Sequence, residues 1–437
     1  MNKKAFATLI ASNIMVSTTY MIFVPFIPIE FANFEISAPT LGYIYATYSL
    51  VSMVFSFCVI ALMRWFGRKR VLLYGITMFI MCMITFAICG NLKSKTTLIC
   101  FLFGIRILQG VAACMVSTST YAIITVSFAS QKMTYLGYGE SAKGAGSAFG
   151  PVLGSILYTL VGFQGTFLIM AGMFICMLFL LFWFIPNSID ANDSEENEGQ
   201  ILVAHDQESI TPSPEFSYIK LFIQPLFFLT SICAFWCFFN CCYYETVLTV
   251  RLAEFNLSKF GIGFIFSIHP VAYVIMSIFS SFFIENYDPK RLIVFGMFFC
   301  GSSLFLMGPS TFLPNSLVLL ATGHLIMGAT EVLFMLPILP VLIEAGVAKY
   351  PNHKYLISDI SSGVLNFYLT LGQGSAPIYG SYVTEYFGYR KCATSIGILM
   401  IGYSLSYYIA CSILSKPRVE IFDELSSEEQ LKKCKKI

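Results

Sequence analysis

Apolar residues run through this chain in blocks long enough to cross a bilayer, separated by short polar stretches. A spanning helix needs about 20 mainly apolar residues. Blocks of that kind fall at 5–29, 41–63, 71–90, 97–124, 135–161 and 165–185, and then at 223–249, 259–284, 292–311, 315–343, 360–387 and 391–414. Between the two sets lies 186–221, where Pro186 to Glu215 carries eight acids and no Lys or Arg. That composition cannot bury a core and reads as a disordered linker. The pattern predicts an all-α membrane protein with twelve transmembrane helices. A six-helix bundle would occupy 1–185, an acidic cytosolic linker 186–221, a second bundle 222–415 and a cytosolic tail 416–437.

The two sets also repeat one another. GRKRVLLYG (67–75) aligns with DPKRLIVFG (288–296), and Arg106 and Gly110 align with His324 and Gly328. PVLGS (151–155) aligns with PIYGS (377–381), after which Gly162-Phe163 falls on Gly388-Tyr389. Three matches in order, in corresponding blocks, point to two six-helix repeats, the architecture of secondary transporters with a midplane site.

Composition agrees with lipid as the main solvent. The 437 residues are 57% hydrophobic and 11% charged, where a soluble protein carries about 25% charged residues. A net charge of +2 gives no reason to expect nucleic acid as a partner. Most of the fourteen cysteines lie inside apolar blocks and read as small hydrophobes rather than a disulfide framework. The apolar run after Lys3 and Lys4 extends to about Ile29, longer than the 7–15-residue core of a cleavable signal. No Walker loop, HExxH, metal-spaced Cys/His cluster or nucleophile elbow is present. An enzyme is therefore not expected, nor is a metal or a cofactor.

Lys and Arg set the orientation. With the N-terminus in the cytosol, eighteen of them fall on the cytosolic side. Six fall opposite: Lys93, Lys95, Arg251, Lys259, Arg390 and Lys391. Both termini and the linker are thus expected in the cytosol. Asn192 and Asn256 both open Asn-x-Ser sequons, and this topology leaves Asn256 alone on the far side. The basic tail ending KKCKKI suits anionic lipid headgroups.

RWFGRKR (64–70) is short enough that the helices it joins must be antiparallel neighbours. The plainer account is a positive-inside anchor. Arg106, with Gln109 and Gly110, lies deep in the fourth block. Arginine at the bilayer centre costs about 2.5–3.5 kcal/mol on insertion scales, so it should face the bundle interior or a wet cavity, unless it simply ties helices together. In GYGESAKGAGSAFGPVLGSILY (137–158), Gly146, Gly150 and Gly154 recur every four positions, and Pro151 bends the helix. Ordinary small-residue packing would explain them too.

Together these strings resemble the major facilitator superfamily: Gly67, Arg68 and Lys69 in its loop signature, Arg106, Gln109 and Gly110 in its fourth helix, and Gly146, Gly150, Pro151 and Gly154 in its antiporter signature. The resemblance implies the major facilitator fold, alternating access between two halves, and exchange rather than uniport. It gives Arg106 a part in proton coupling or substrate charge, and Pro377 and Gly380 the antiporter-signature positions of the second half. The family's acid three residues before the loop glycine is Arg64 here, while Glu285 stands at the equivalent place in the second half.

Few other ionisable groups lie in the apolar blocks. Glu140 and Lys143 are three apart on one helical face and largely neutralise each other. Glu245, His269, His324 and Glu331 follow in the second half. A lone helical histidine is more often a packing residue than a switch. A carboxylate in low dielectric favours its protonated form and so can carry a proton, and when ionised it suits an ammonium substrate. VPFIP (24–28), LGYIYATYSL (41–50), ETVLTVRL (245–252) and GATE (328–331) resemble the vesicular amine and polyamine transporter branch. That branch has two aspartates where this chain has Val16 and Asn366, which shifts the expectation from monoamines towards polyamine-like or other organic cations. Tyr20, Tyr243, Tyr244 and Tyr368 lie on spans that line the cavity in this fold and suit cation–π contacts.

The reading is a monomeric, proton-coupled antiporter of small organic cations, with Arg106, Glu140, Glu245, His324, Glu331 and Asn366 as substrate or proton positions. Two rivals stand beside it: a facilitator or symporter of a neutral or anionic solute gripped by Arg106, and a non-transporting receptor on the same scaffold.

Overall fold

The computed structural model describes residues 3–128, 132–186, 216–308 and 313–414. The side chains of Glu140, Glu285 and Asp359 lie outside that description. Among the described residues every regular element is a helix. They are α1 (Lys3–Glu30), α2 (Ala38–Phe66), α3 (Arg68–Cys89), α4 (Lys95–Ser127), α5 (Lys132–Phe184), α6 (Tyr218–Phe222), α7 (Pro225–Cys242), α8 (Tyr244–Ala253), α9 (Lys259–Asn286), α10 (Pro289–Met307), α11 (Leu317–Lys349), α12 (Lys354–Phe387) and α13 (Tyr389–Leu414).

Each apolar block falls in a helix, and the boundaries have local causes. Pro39, Pro225 and Pro289 open helices, where a missing N–H is harmless. Ser94, Ser258, Ser316 and Asp288 cap them by accepting a backbone N–H. Gly67 ends α2 with φ 86°, a conformation that favours glycine. Blocks 135–161 and 165–185 share α5, broken at Gly162 with φ 71°. Block 223–249 is cut at Tyr243 into α7 and α8. Nine described spans are long and apolar enough to cross a membrane, with α5 taken as one and α7 and α8 joined, or ten if the bent α2 is included.

Residues 187–215 of the expected linker lie outside the described chain, which resumes at Phe216 and forms α6 from Tyr218. Leu221 is buried, and Phe216 meets the rings of Tyr350 and His353 at 5.0 and 5.5 Å.

The repeat seen in the sequence is also a repeat of contacts. A Cβ on Gly110 of α4 would lie 2.5 Å from the Tyr48 carbonyl of α2, and one on Gly328 of α11 would lie 2.2 Å from the His269 carbonyl of α9. A Cβ on Gly146 of α5 would lie 2.3 Å from the Ile14 carbonyl of α1, as one on Gly372 of α12 would from the Phe235 carbonyl of α7. Such approaches leave no room for a side chain. Outside, Trp183, Leu160, Ile278 and Ile413 stand exposed in the manner of a lipid-facing surface. The thirteen described cysteines are free thiols.

The halves meet through α2 with α12 and α5 with α9. Named contacts gather at the face that carries the Glu35 turn. Tyr43 and Tyr382 share a hydroxyl bond of 3.0 Å, the Thr249 hydroxyl donates to the Pro25 carbonyl at 3.2 Å, and the Lys259 ammonium lies 4.0 Å from the Tyr158 ring centroid. Tyr158 in turn donates to Glu30.

Candidate functional site

Arg106 is fully buried in α4. Its Nη1 donates to Gln109 Oε1 at 2.9 Å, one helical turn on, and Nε and Nη2 have no hydrogen-bond partner among the described residues. Four rings surround the guanidinium: Phe23 at 3.7 Å, Tyr45 at 5.1 Å, Tyr20 at 5.3 Å and Tyr48 at 5.6 Å. The charge is thus held by aromatic faces from α1 and α2. Gly110 lets α2 approach closely enough to bring Tyr48 there.

Glu245 is the second residue of α8, directly after the break at Tyr243, and is buried. It accepts a 2.5 Å hydrogen bond from the Tyr20 hydroxyl of α1. One tyrosine therefore faces Arg106 with its ring and Glu245 with its hydroxyl, joining the two halves in the interior.

Glu331 of α11 lies in a second cluster. One oxygen is 2.6 Å from His269 Nε2, and the other accepts from Cys237 Sγ at 3.3 Å. His269 Nδ1 faces the Tyr244 hydroxyl at 3.3 Å. His324, which aligns with Arg106, is buried with its ring 5.0 Å from that of Tyr244. Its Nδ1 lies 2.9 Å from the Leu320 carbonyl, while Nε2 has no partner.

Other expected positions fall elsewhere. Asn366 is exposed on α12 and accepts through its backbone from Thr370, so it does not join these clusters. The Glu140 side chain, and with it the expected pairing to Lys143, lies outside the described residues; Lys143 is 4.4 Å from the Tyr121 ring. Val16 is buried, and Tyr368 is half-buried. The motif positions act on packing. Lys69 of the 67–69 loop donates to the Phe182 carbonyl at 3.0 Å, satisfying the C-terminal end of α5 beside Arg68. Gly146, Gly150 and Gly154 form the seam of α5 on α1, with Pro151 between them. A Cβ on Gly380 would lie 2.6 Å from the Tyr243 carbonyl.

This arrangement, two helical halves around buried, partly unsatisfied ionic groups, agrees with the family comparison. The profile of the Major Facilitator Superfamily matches residues 9–339. The chain belongs to the Major Facilitator Superfamily. It is 22% identical over 419 residues to the MFS-type transporter SLC18B1 of Mus musculus, which covers 94% of this chain and 87% of that protein. The multidrug resistance protein Stp of Mycobacterium tuberculosis (strain CDC 1551 / Oshkosh) is 26% identical over 211 residues, 46% of this chain and 37% of its own. Among solved structures, a D-xylose-proton symporter superposes with a TM-score of 0.70 at 12% identity, covering 92% of this chain and 97% of that one. This superfamily member is a multi-pass membrane transporter, and a small molecule is its substrate.

Sequence reasoning located Arg106, Glu245 and Glu331 because charge inside an apolar block is conspicuous. It did not find the Tyr45 and Tyr48 faces on Arg106 or the pairing of His269 with Glu331. Those partners sit on other helices, and no spacing along the chain connects them.

Proposed function

We propose that the chain is a proton-coupled antiporter of small organic cations, polyamine-like in class, working by alternating access between its halves. In this reading it crosses the bilayer twelve times with both termini in the cytosol, the contacts at the Glu35 face close the far side, and the protein acts as a monomer. The observation that carries it is the Tyr20–Glu245 bond. It puts an acid in the interior, between the halves, at a helix break, where an ammonium group can replace a hydroxyl as partner. The aromatic faces of Tyr20 and Tyr48 beside it suit the same ligand class.

Uptake by proteoliposomes tests this. Radiolabelled spermidine and a panel of amines and drugs are offered with and without an acid interior. Cation accumulation that needs the gradient is expected. Uptake indifferent to pH, or binding with no counterflow, overturns it.

A second reading has one observation in its favour. Two buried nitrogens of Arg106, Nε and Nη2, have no acceptor among the described residues, and an anionic solute would satisfy them. In that case an organic anion in the same assay competes for uptake and loses its effect in Arg106→Lys.

A further inference from the structure

We infer that the adjacent thiols of Cys241 and Cys242 form a binding site for trivalent organoarsenicals, and that filling it stops transport. The binding stands by itself, whereas the block rests on the transport function proposed above.

Cys241 and Cys242 are the last residues of α7, directly before the break at Tyr243. Neighbouring side chains on a helix do not face each other, yet here the two sulfurs are 3.5 Å apart. Cys242 is buried and Cys241 is half-buried, so the pair keeps an accessible edge. Cys241 also lies 3.5 Å from the Phe238 carbonyl. Other thiols turn to different groups: Cys82, Cys233 and Cys392 donate to backbone carbonyls, Cys114 meets Thr118, and Cys237 donates to Glu331.

Direct oxidation fits this pair poorly. Consecutive Cα atoms are about 3.8 Å apart, short of the roughly 4.4 Å at which disulfides begin to close without distortion. A third atom between the sulfurs removes that constraint. With bonds of about 2.3 Å, the length of a zinc–thiolate bond, an atom bridging sulfurs 3.5 Å apart makes an angle of about 100° between them. That suits the pyramidal geometry of three-coordinate arsenic. A tetrahedral metal ion would want further ligands, and among the described residues no three His, Cys, Asp or Glu side chains are grouped to hold one.

With an aryl arsenoxide, each sulfur forms one bond to arsenic and the arsenic–oxygen double bond breaks. The two thiol protons leave with that oxygen as one water, and nothing is oxidised or reduced. Reactants and products are all neutral, so the apolar surroundings impose no charge penalty, as they would on a metal dication. Once the first sulfur has bonded, the second is already in place and its bond forms within one molecule.

Glu245 follows three residues after Cys242, and Cys241 lies within electrostatic range of both Glu245 and Glu331. An aryl group fixed on the pair therefore stands beside the acid that bonds Tyr20. The chelate ring also stiffens the break that carries Glu245.

Intact-protein mass spectrometry of the full-length chain in lipid nanodiscs, treated with an equimolar amount of phenylarsine oxide, reads the chelate. One aryl-arsenic adduct is expected, removed by 2,3-dimercaptopropanol and reduced about tenfold or more in Cys241→Ala and in Cys242→Ala. Cys233→Ala and Cys392→Ala should keep it. Cys241→Ser and Cys242→Ser serve where an alanine variant does not fold. An adduct retained in the Cys241 and Cys242 variants, or none in the unaltered chain, overturns the site. In proteoliposomes the same reagent should lower spermidine uptake about tenfold or more, with recovery on adding the dithiol and no effect on Cys241→Ala. Undiminished uptake while the adduct is present overturns the block. A chain that forms the chelate but moves no cation keeps the site and removes the transport proposal, and the block with it.

Discussion

Phenylalanine in place of Tyr20 keeps the ring beside Arg106 and deletes the bond to Glu245. A hydrogen bond to a charged group contributes about 1.5–3 kcal/mol, so Tyr20→Phe, which removes the partner that an ammonium must displace, should lower the KM for cation uptake about tenfold or more while leaving the folded yield unchanged. Wild-type kinetics would mean the hydroxyl is idle. Glu245→Gln and Glu331→Gln should each abolish uptake with normal expression, read as radiolabel accumulated per milligram of reconstituted protein. Normal rates in either remove that acid from the mechanism. At this scale the sequence showed the charges and not their company. Arg106 is conspicuous among apolar neighbours, yet Phe23, Tyr45 and Tyr48 look like any other aromatic on a membrane helix.

Among helices, the closing contacts follow the repeat. A Cβ on Gly42 of α2 would lie 2.6 Å from the Pro377 carbonyl and 2.1 Å from Ser381 Oγ of α12. A Cβ on Gly263 of α9 would lie 2.5 Å from the Pro151 carbonyl and 2.8 Å from Ser155 Oγ of α5. PVLGS and PIYGS are thus surfaces on which the opposite half packs, each against one glycine. Gly42→Leu and Gly263→Leu should hold this face apart and stop transport. Spin labels on Glu35→Cys and Asn256→Cys, one in each half, should then report a longer separation than in the otherwise unaltered protein. An unchanged distance with full transport would show that the glycines are incidental. The motif strings were legible along the chain, but their pairing with Gly42 and Gly263 was not, because each glycine belongs to the other half.

For the whole molecule, the proposed orientation rests on the charge bias of short loops. Asn256 sits in an exposed turn with φ 50°, two residues before the Ser258 cap of α9. In a glycosylating host, mass spectrometry of the two sequon peptides should find Asn192 bare. Glycan on Asn192 would invert the topology. Protease protection in sealed vesicles checks the same point, with the acidic linker expected to be cut from the cytosolic side.

The order of apolar blocks, the acidic interval between two sets and the internal repeat were determined by sequence alone, because a bilayer demands long uninterrupted apolar helices and tolerates few alternatives. The same constraint made each buried charge visible. Tertiary structure decided which charges meet. Tyr20 finds Glu245 across 225 positions and His269 finds Glu331 across 62, and these pairings depend on which glycines let helices approach and on where α7 breaks from α8. Hydropathy records how deep a residue lies in lipid, whereas its partner depends on the rotation and spacing of helices that backbone contact alone sets.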